Sequence, residues 1–412
     1  MGSASHITTT AAKRAGRPWL TQTAERLLGS LSWAPREPLS TALPVLPRRL
    51  LVVKVFGVGD SILVRSLIEH LAARNPKIEI GVLVSSATRE LMTLGANFSV
   101  HQYTQRTLTL RTGFNSLREI RRGRYEAILN LEQGSTAGSA FLAATGIRFR
   151  VGFLPSVDSP KALFLTHAVR FEEQHSMWQS FVRLAQKIDP GLSDAVMPIP
   201  LKCGPSSEAW ALEWLRGHVS GRRIVAMHLG SQDLEFRRWP VDRFVGLAER
   251  IRGFGAEISI ILTGLAPERP LIHEFMDKYS GYAVDASESG SLEKTAALLR
   301  RCDLLVSNDT GIMHLAAAMG TPTVGLFGPN SPRYWAPLGS RATYVYDTKV
   351  ACSPCLNLYA NRWPLECANP EKSRCMLDIT VDSVLNAARC VITDDWLGKA
   401  DMYDGREFSR LR

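Results

Sequence analysis

Short apolar runs alternate with amphipathic stretches along this chain, and they do so twice, on either side of a segment that suits neither pattern. That segment, Ala195 to Ser207 (AVMPIPLKCGPSS), carries three prolines and a glycine, which break both the strand and the helix period. Before it the sequence predicts a strand at Leu50–Phe56, a glycine turn at Gly57–Gly59, a helix at Ser61–Ala73 and a strand at Ile78–Val84. Helices at Ala87–Leu94 and Phe114–Arg122, a strand at Tyr125–Leu131 and a helix at Ser135–Ala144 follow. Beyond it come a strand at Ile224–Leu229, a helix at Val241–Arg252, a strand at Ile258–Thr263 and a helix at Leu292–Arg300. A strand at Leu304–Ser307, a helix at Gly311–Met319 and a strand at Thr323–Phe327 complete the repeat. Strands alternating with helices favour parallel sheets. The expectation is therefore α/β, with two Rossmann-like doubly wound domains facing each other across a cleft, and ligands at the carboxyl ends of the strands.

A chain of 412 residues exceeds what one core usually organises, which agrees with two domains. Their expected limits are 49–200 and 207–390, with a basic, flexible extension at 1–48 and a tail at 391–412. The net charge of +10 is unevenly spread. Residues 1–49 hold Lys13, Arg14, Arg17, Arg26, Arg36, Arg48 and Arg49 against Glu25 and Glu37 only. Such an excess can steer a protein toward nucleic acid, anionic lipid or phosphorylated substrates. No interleaving of aromatic and basic residues supports nucleic acid. The leader suits an anionic membrane surface. The longest uncharged run, Thr310 to Pro332, is broken by Gly320, Pro322, Gly325, Gly328 and Pro329, and reads as a buried helix and strand rather than a membrane span.

Three strand ends carry the chemistry. The third reads VSNDTGIMHLAAAMG from Val306: an apolar strand turns a polar corner into a short helix. A helix start offers unpaired N–H groups and the positive end of a dipole, so Asp309, Thr310, Gly311 and His314 make a candidate phosphate site, with Asp309 or Thr310 able to cap the helix. At the first, Gly59 and Asp60 open the first helix. The spacing is not a dinucleotide fingerprint, because Ile62 stands where the third glycine belongs. Asp60 is a candidate general base, although a helix N-terminus lowers a carboxylate pKa unless burial compensates. At the second, Gly230 and Ser231 precede Glu235-Phe236-Arg237-Arg238-Trp239-Pro240, in which two arginines form a candidate diphosphate clamp. Trp239 is expected in the core, and Pro240 in the first turn of the following helix. Glu268, beyond the next strand, is a candidate for a ribose hydroxyl.

Seven cysteines occur, four of them (Cys352, Cys355, Cys367 and Cys375) in the loop 350–376. Paired thiolates at such spacings can close a tetrahedral zinc site, while reduced thiols or a local disulfide remain open alternatives.

Together, Lys54 with Gly59-Asp60, Gly230 with Arg237-Arg238-Trp239-Pro240, Asp309-Thr310-Gly311-x-Met313-His314-x-Ala316, Gly320-x-Pro322 and Leu326-Phe327-Gly328 resemble glycosyltransferase family 9, the lipopolysaccharide heptosyltransferases. The resemblance spans roughly residues 50–390 and implies the GT-B fold. It also implies inverting, metal-independent transfer of a heptose from ADP-heptose to a lipid-linked saccharide acceptor of the lipopolysaccharide core. Asp60 would then act as base. Gly59, Ser231, Arg237, Arg238, Glu268, Asp309, Thr310, Gly311 and His314 would hold the donor. No cofactor would be required, and the enzyme would work in the cytoplasm, at the inner face of the membrane. Two positions depart from the family's habit: Ser66 replaces a common proline, and Arg237 a frequent lysine. The phosphate corners alone leave open a UDP- or GDP-sugar donor, and also a non-catalytic nucleotide-sugar or glycolipid binder with a decayed site.

Overall fold

The computed structural model describes residues 40–392 apart from 95–97, 104–109, 157–158, 232–233, 255–256, 288, 347–348, 358–361 and 363. Most of the leader at 1–48 and of the tail at 391–412 therefore lies outside the described residues.

The first half forms six strands: β1 (Arg49–Val53), β2 (Glu79–Ser85), β3 (Ser99–Tyr103), β4 (Ala127–Asn130), β5 (Phe149–Leu154) and β6 (His167–Arg170). The second forms another six: β7 (Arg223–His228), β8 (Ile258–Thr263), β9 (Ala283–Asp285), β10 (Leu304–Asn308), β11 (Thr323–Phe327) and β12 (Ala342–Tyr346). Their orders are β3-β2-β1-β4-β5-β6 and β12-β11-β10-β7-β8-β9, with parallel pairing throughout. Counted from its own first strand, each sheet runs 3-2-1-4-5-6. In this order the chain reverses direction between the first and fourth strands, and the helices there diverge to opposite faces, leaving a crevice at the carboxyl ends. The switch points are β1/β4 in one half and β7/β10 in the other.

Both faces of each sheet are covered, so the central strands are buried on both sides and carry consecutive rather than alternating apolar residues. Leu50 and Val52 of β1 enter one core, while Leu51 and Val53 enter the core behind it. In the second sheet Val225, Met227, Leu304 and Val306 face one side, and Ala226 and Leu305 the other. Trp239 is 1% exposed, lies edge-on to Phe244 with ring centroids 4.9 Å apart, and donates its indole N–H to the Ile379 carbonyl at 2.9 Å. It thereby ties the loop after β7 to the start of the Val381–Val391 helix. Pro240 is the cap residue of the Val241–Arg252 helix. Trp239→Ala removes one of the largest buried side chains and strands that carbonyl, so we expect it to lower the unfolding free energy by about 3–5 kcal/mol. Denaturant titration measures this, and a loss below about 1 kcal/mol would show that the loop repacks without it.

The crossover between the halves is pinned to both. The Ile199 N–H donates to Ser66 Oγ at 2.5 Å, which gives the hydroxyl at this departing position a partner that proline could not supply. The Leu201 N–H donates to the Ala318 carbonyl at 2.9 Å. From the first half, Glu90 accepts the N–H groups of Leu292 (3.2 Å) and Glu293 (2.9 Å), capping the Leu292–Leu299 helix of the second, and the Glu293 carboxylate in turn accepts the Gly204 N–H at 2.9 Å. An apolar seam, with Ile62, Leu91 and Leu94 on one side and Leu315, Ala316 and Met319 on the other, fills the contact. Among the described residues no helix is long and apolar enough to cross a membrane.

Candidate active site

The corners predicted from the sequence lie at the two switch points, and two of them touch. The Val58–Arg74 helix begins after Gly57 and the Gly311–Ala318 helix after Thr310, and neither cap residue makes a side-chain hydrogen bond to the helix start. Their first turns pack together. A Cβ on Gly59 would lie 2.6 Å from His314 Cδ2, and one on Gly311 would lie 2.7 Å from Val58 Cβ. Both glycines are needed for this approach. Two helix starts with no side-chain cap, each with its positive dipole end, thus meet at one point across the cleft. Capping by Asp309 or Thr310, expected from the sequence, does not occur. Asp309 is turned toward Arg237, and the Thr310 hydroxyl lies 3.3 Å from Ser307 Oγ. The helix N–H groups are left for a ligand.

Asp60 sits in the first turn of the first of these helices and is 8% exposed. Its Oδ2 lies 2.6 Å from Lys54 Nζ, and the same ammonium lies 3.4 Å from Glu132 Oε1. Burial raises the Asp60 pKa, the Lys54 cation opposes the rise, and the Glu132 carboxylate adds to it; the net direction is upward. At this helix start, burial thus outweighs the effects that would lower the carboxylate's pKa. For Lys54, burial opposes the charge, but Asp60 and Glu132 together outweigh it and hold the ammonium above its ordinary value. His314 is pushed down by burial, with Asp309 opposing, so the ring is neutral at pH 7.

The second corner is only partly a clamp. Arg237 is buried, and its Nη2 donates to the Asp309 carbonyl at 2.6 Å and to Asp309 Oδ2 at 2.9 Å, while Asn330 Nδ2 donates to the same carboxylate oxygen at 2.8 Å. Its Nε is buried with no hydrogen-bond partner among the described residues. Arg238 is partly buried, with its Nη1 3.8 Å from Glu235 Oε1. Ser231 spends its hydroxyl on the Leu234 carbonyl at 2.8 Å and shapes the turn. Glu268 is buried against Gly230, where its Oε2 accepts the Leu265 N–H at 2.9 Å. Beside it is His228, which lies 3.0 Å from the Thr263 carbonyl and is lowered in pKa by burial, with Glu268 opposing. Arg237, Asp309, Thr310, Gly311 and His314 therefore converge with Gly59 and Asp60. Glu268 lines the far end of the β7/β8 edge.

Three participants escaped the sequence reading: Glu132 after β4, Lys161 and Asn330. A carboxylate just past a strand at a switch point is a signal that could have found Glu132. Nothing in the local sequence marks Lys161. A concavity of about 520 Å³ lined by Phe114, Arg118, Arg121 and Arg122 lies on the Leu110–Arg122 helix and holds none of these groups.

The cysteine loop needs correction. Among the described residues, no three His, Cys, Asp or Glu side chains are placed to hold a metal ion, so the zinc site suggested by the spacing is not assembled. The seven thiols described are free. Cys352 Sγ accepts from the Asn369 amide at 3.4 Å and Cys367 Sγ from the Ser373 N–H at 3.3 Å, while Cys355 and Cys367 pack beside Leu234, Phe236 and Leu356. Burial pushes the Cys375 thiol up to about 12, and Cys355 also upward, with the neighbouring cysteines of the loop adding to both.

Comparison with known proteins agrees with the geometry. The profile described as glycosyltransferase family 9 (heptosyltransferase) matches residues 114–361. A lipooligosaccharide heptosyltransferase 2 of Haemophilus influenzae is 29% identical over 41% of this chain, a match that spans only 51% of that relative's length. Lipopolysaccharide heptosyltransferase 2 of Escherichia coli is 23% identical over 72% of the chain and 87% of the relative. Among solved structures, an E. coli ADP-heptose heptosyltransferase II superposes with TM-score 0.66 at 20% identity, covering 83% of this chain and 98% of the other. A family 9 glycosyltransferase of Veillonella parvula gives 0.69 at 18% identity, covering 85% and 98%. These likenesses fix the architecture as GT-B, and the family match extends over more than half of the sequence: the chain belongs to glycosyltransferase family 9.

Proposed function

We propose that the protein transfers a heptose from ADP-heptose to a saccharide acceptor of the lipopolysaccharide core, with inversion. The observation that carries this reading is the meeting of two uncapped helix starts beside a buried carboxylate of raised pKa. The N–H groups around Thr310, Gly311 and His314 receive the donor diphosphate. Arg237, whose Nε has no partner among the described residues, and Arg238 add positive charge, and Asp309 holds Arg237 in place. Glu268 accepts from the ribose. Asp60 takes the proton of the acceptor hydroxyl as that oxygen attacks the anomeric carbon, and the bond to the diphosphate breaks on the opposite face, releasing ADP. N–H donors and guanidinium groups already in place stabilise the departing charge, so this reading requires no catalytic metal. The acceptor is lipid-linked, which places the enzyme in the cytoplasm at the inner face of the membrane. There its basic leader, and the Phe114, Arg118, Arg121 and Arg122 surface, suit anionic headgroups.

The test is thermal stabilisation by ADP, ADP-heptose, UDP and GDP at equal concentration. Ligand at about 100 times its dissociation constant adds about 2.7 kcal/mol, so the preferred base stands out. A shift selective for ADP and ADP-heptose is expected. A shift with UDP or GDP alone would overturn the donor and keep the site, and no shift with any of the four would favour the decayed-site binder.

A further inference from the structure

Beneath Asp60 lies a row of buried charges that the transfer reaction does not itself use. Glu132 Oε1 accepts three donors from the segment leading into the site: the Val55 N–H at 2.6 Å, the Phe56 N–H at 3.0 Å and Lys54 Nζ at 3.4 Å. The loop that carries Glu132 is itself clamped. Lys161, 0% exposed on the short helical turn Pro160–Phe164, donates its ammonium to the carbonyls of Glu132 (2.5 Å) and Gln133 (3.2 Å), and Asn130 Oδ1 accepts the Glu132 N–H at 3.1 Å. A chain of contacts therefore runs from the β5–β6 connection through Glu132 to Lys54 and on to Asp60, crossing the β1/β4 switch point. Side chains of Glu and Lys are rarely buried unless paired, and here each has its partner.

We propose that Glu132, held by Lys161, is a positioning residue that sets the basicity of Asp60 by sharing Lys54. The deduction rests on the reading of Asp60 as the base. Lys54 is the only cation within ion-pair reach of Asp60 among the described residues, and Glu132 competes for it. With the ammonium divided between two carboxylates, Asp60 keeps more of its affinity for a proton than it would beside an undivided cation. The fixed backbone contacts of Glu132 also hold Lys54 still, so the balance does not drift as substrates enter. The groups that face Asp60 are Lys54 and Glu132, with the Gln133 side chain beside them; Lys161 acts from behind Glu132, and its pKa is brought down to about 7 by burial. The neutral His314 lies against Gly59, one residue away.

The experiment is the pH profile of kcat/KM for heptose transfer from ADP-heptose to heptose-deficient lipopolysaccharide by the full chain. Glu132→Gln keeps an oxygen for the Val55 and Phe56 N–H groups and removes only the charge. Asp60 then has Lys54 to itself and becomes a weaker base. The acid limb is expected to move to lower pH, and the plateau kcat to fall, while KM for the donor and the circular dichroism spectrum hold. In Glu132→Gln/Lys54→Met desolvation acts on Asp60 without a counter-charge, and the limb must move the other way, above that of wild type. A Glu132 with a purely structural role would leave the limb of the folded Glu132→Gln protein where it is in wild type. A folded Glu132→Gln protein with the wild-type limb overturns the proposal. Should that variant not fold, Glu132→Asp, which keeps the charge but draws it back from Lys54, decides: a limb moved to lower pH supports the sharing of Lys54, and an unmoved limb rejects it. Asp60→Asn with more than about a tenth of wild-type turnover would sink the reading of the base itself, independently of Glu132.

Discussion

Asp60→Asn is expected to reduce kcat for heptose transfer by about 10²–10⁴-fold, the usual contribution of a positioned general base, while the donor dissociation constant stays within about threefold of wild type. The split follows from geometry. The carboxylate lies in the first helical turn beside Lys54, whereas the surfaces expected to grip the diphosphate are the N–H groups beyond Thr310 and the guanidinium of Arg237. An amide has the size of the carboxylate and none of its basicity. Isothermal titration with ADP and steady-state kinetics on one preparation measure both quantities. A parallel loss of donor binding would mean that Asp60 organises the helix start rather than accepting a proton.

The second large effect is expected at Arg237. Removing one member of a buried ion pair leaves the other charge uncompensated, at a cost of about 3–5 kcal/mol. The side chains of Arg237 and Asp309 are 9% and 10% exposed, so Arg237→Met should lower stability by that order and raise KM for the donor. Asp309→Asn added to it removes the stranded charge. The double variant should regain most of the stability, a non-additivity expected of contacting residues, without regaining catalysis. Denaturant midpoints and kinetics of the three proteins check both halves of the statement. Additive stabilities would show that Asn330, which also donates to Asp309, suffices to hold the corner.

The central strands were the most legible part of the fold, for a physical reason. Leu50 to Val53 is an unbroken apolar run, and Ile258 to Thr263 and Thr323 to Phe327 are mostly apolar runs, all buried on both faces. The strands β3, β6, β9 and β12 went unread, because at the edges of the sheets they are short, half polar or only partly buried, as His167–Arg170 (HAVR) illustrates, and so did the inner strand β5, whose apolar run is interrupted by Arg150 and Gly152. The helix read from Phe114 starts instead at Leu110. In the site, Asp60 and the Asp309–His314 corner were visible because their spacing is local: a carboxylate, glycine or threonine at a helix start announces itself. Glu132 and Lys161 were not, since what makes them matter is pairing across about eighty residues and a burial that only the assembled sheet creates. Ser231 and Arg238 had the right composition for a phosphate clamp. The turn claims the first hydroxyl, and the second guanidinium lies within ion-pair reach of Glu235.

The stitching of the crossover bears on how this chain can be taken apart. Residues 197–204 belong to neither half: Met197 reaches His70, Ile199 reaches Ser66, Leu201 reaches Ala318 and Gly204 reaches Glu293. Glu90 meanwhile accepts, from one half, two N–H groups at the start of the Leu292–Leu299 helix in the other, beside that helix's own cap Ser291. The halves are therefore not interchangeable modules. A chimera that borrows its second half from a relative must carry over the crossover, Ser66 and Glu90 together, or it will inherit a connecting segment cut to fit a different neighbour.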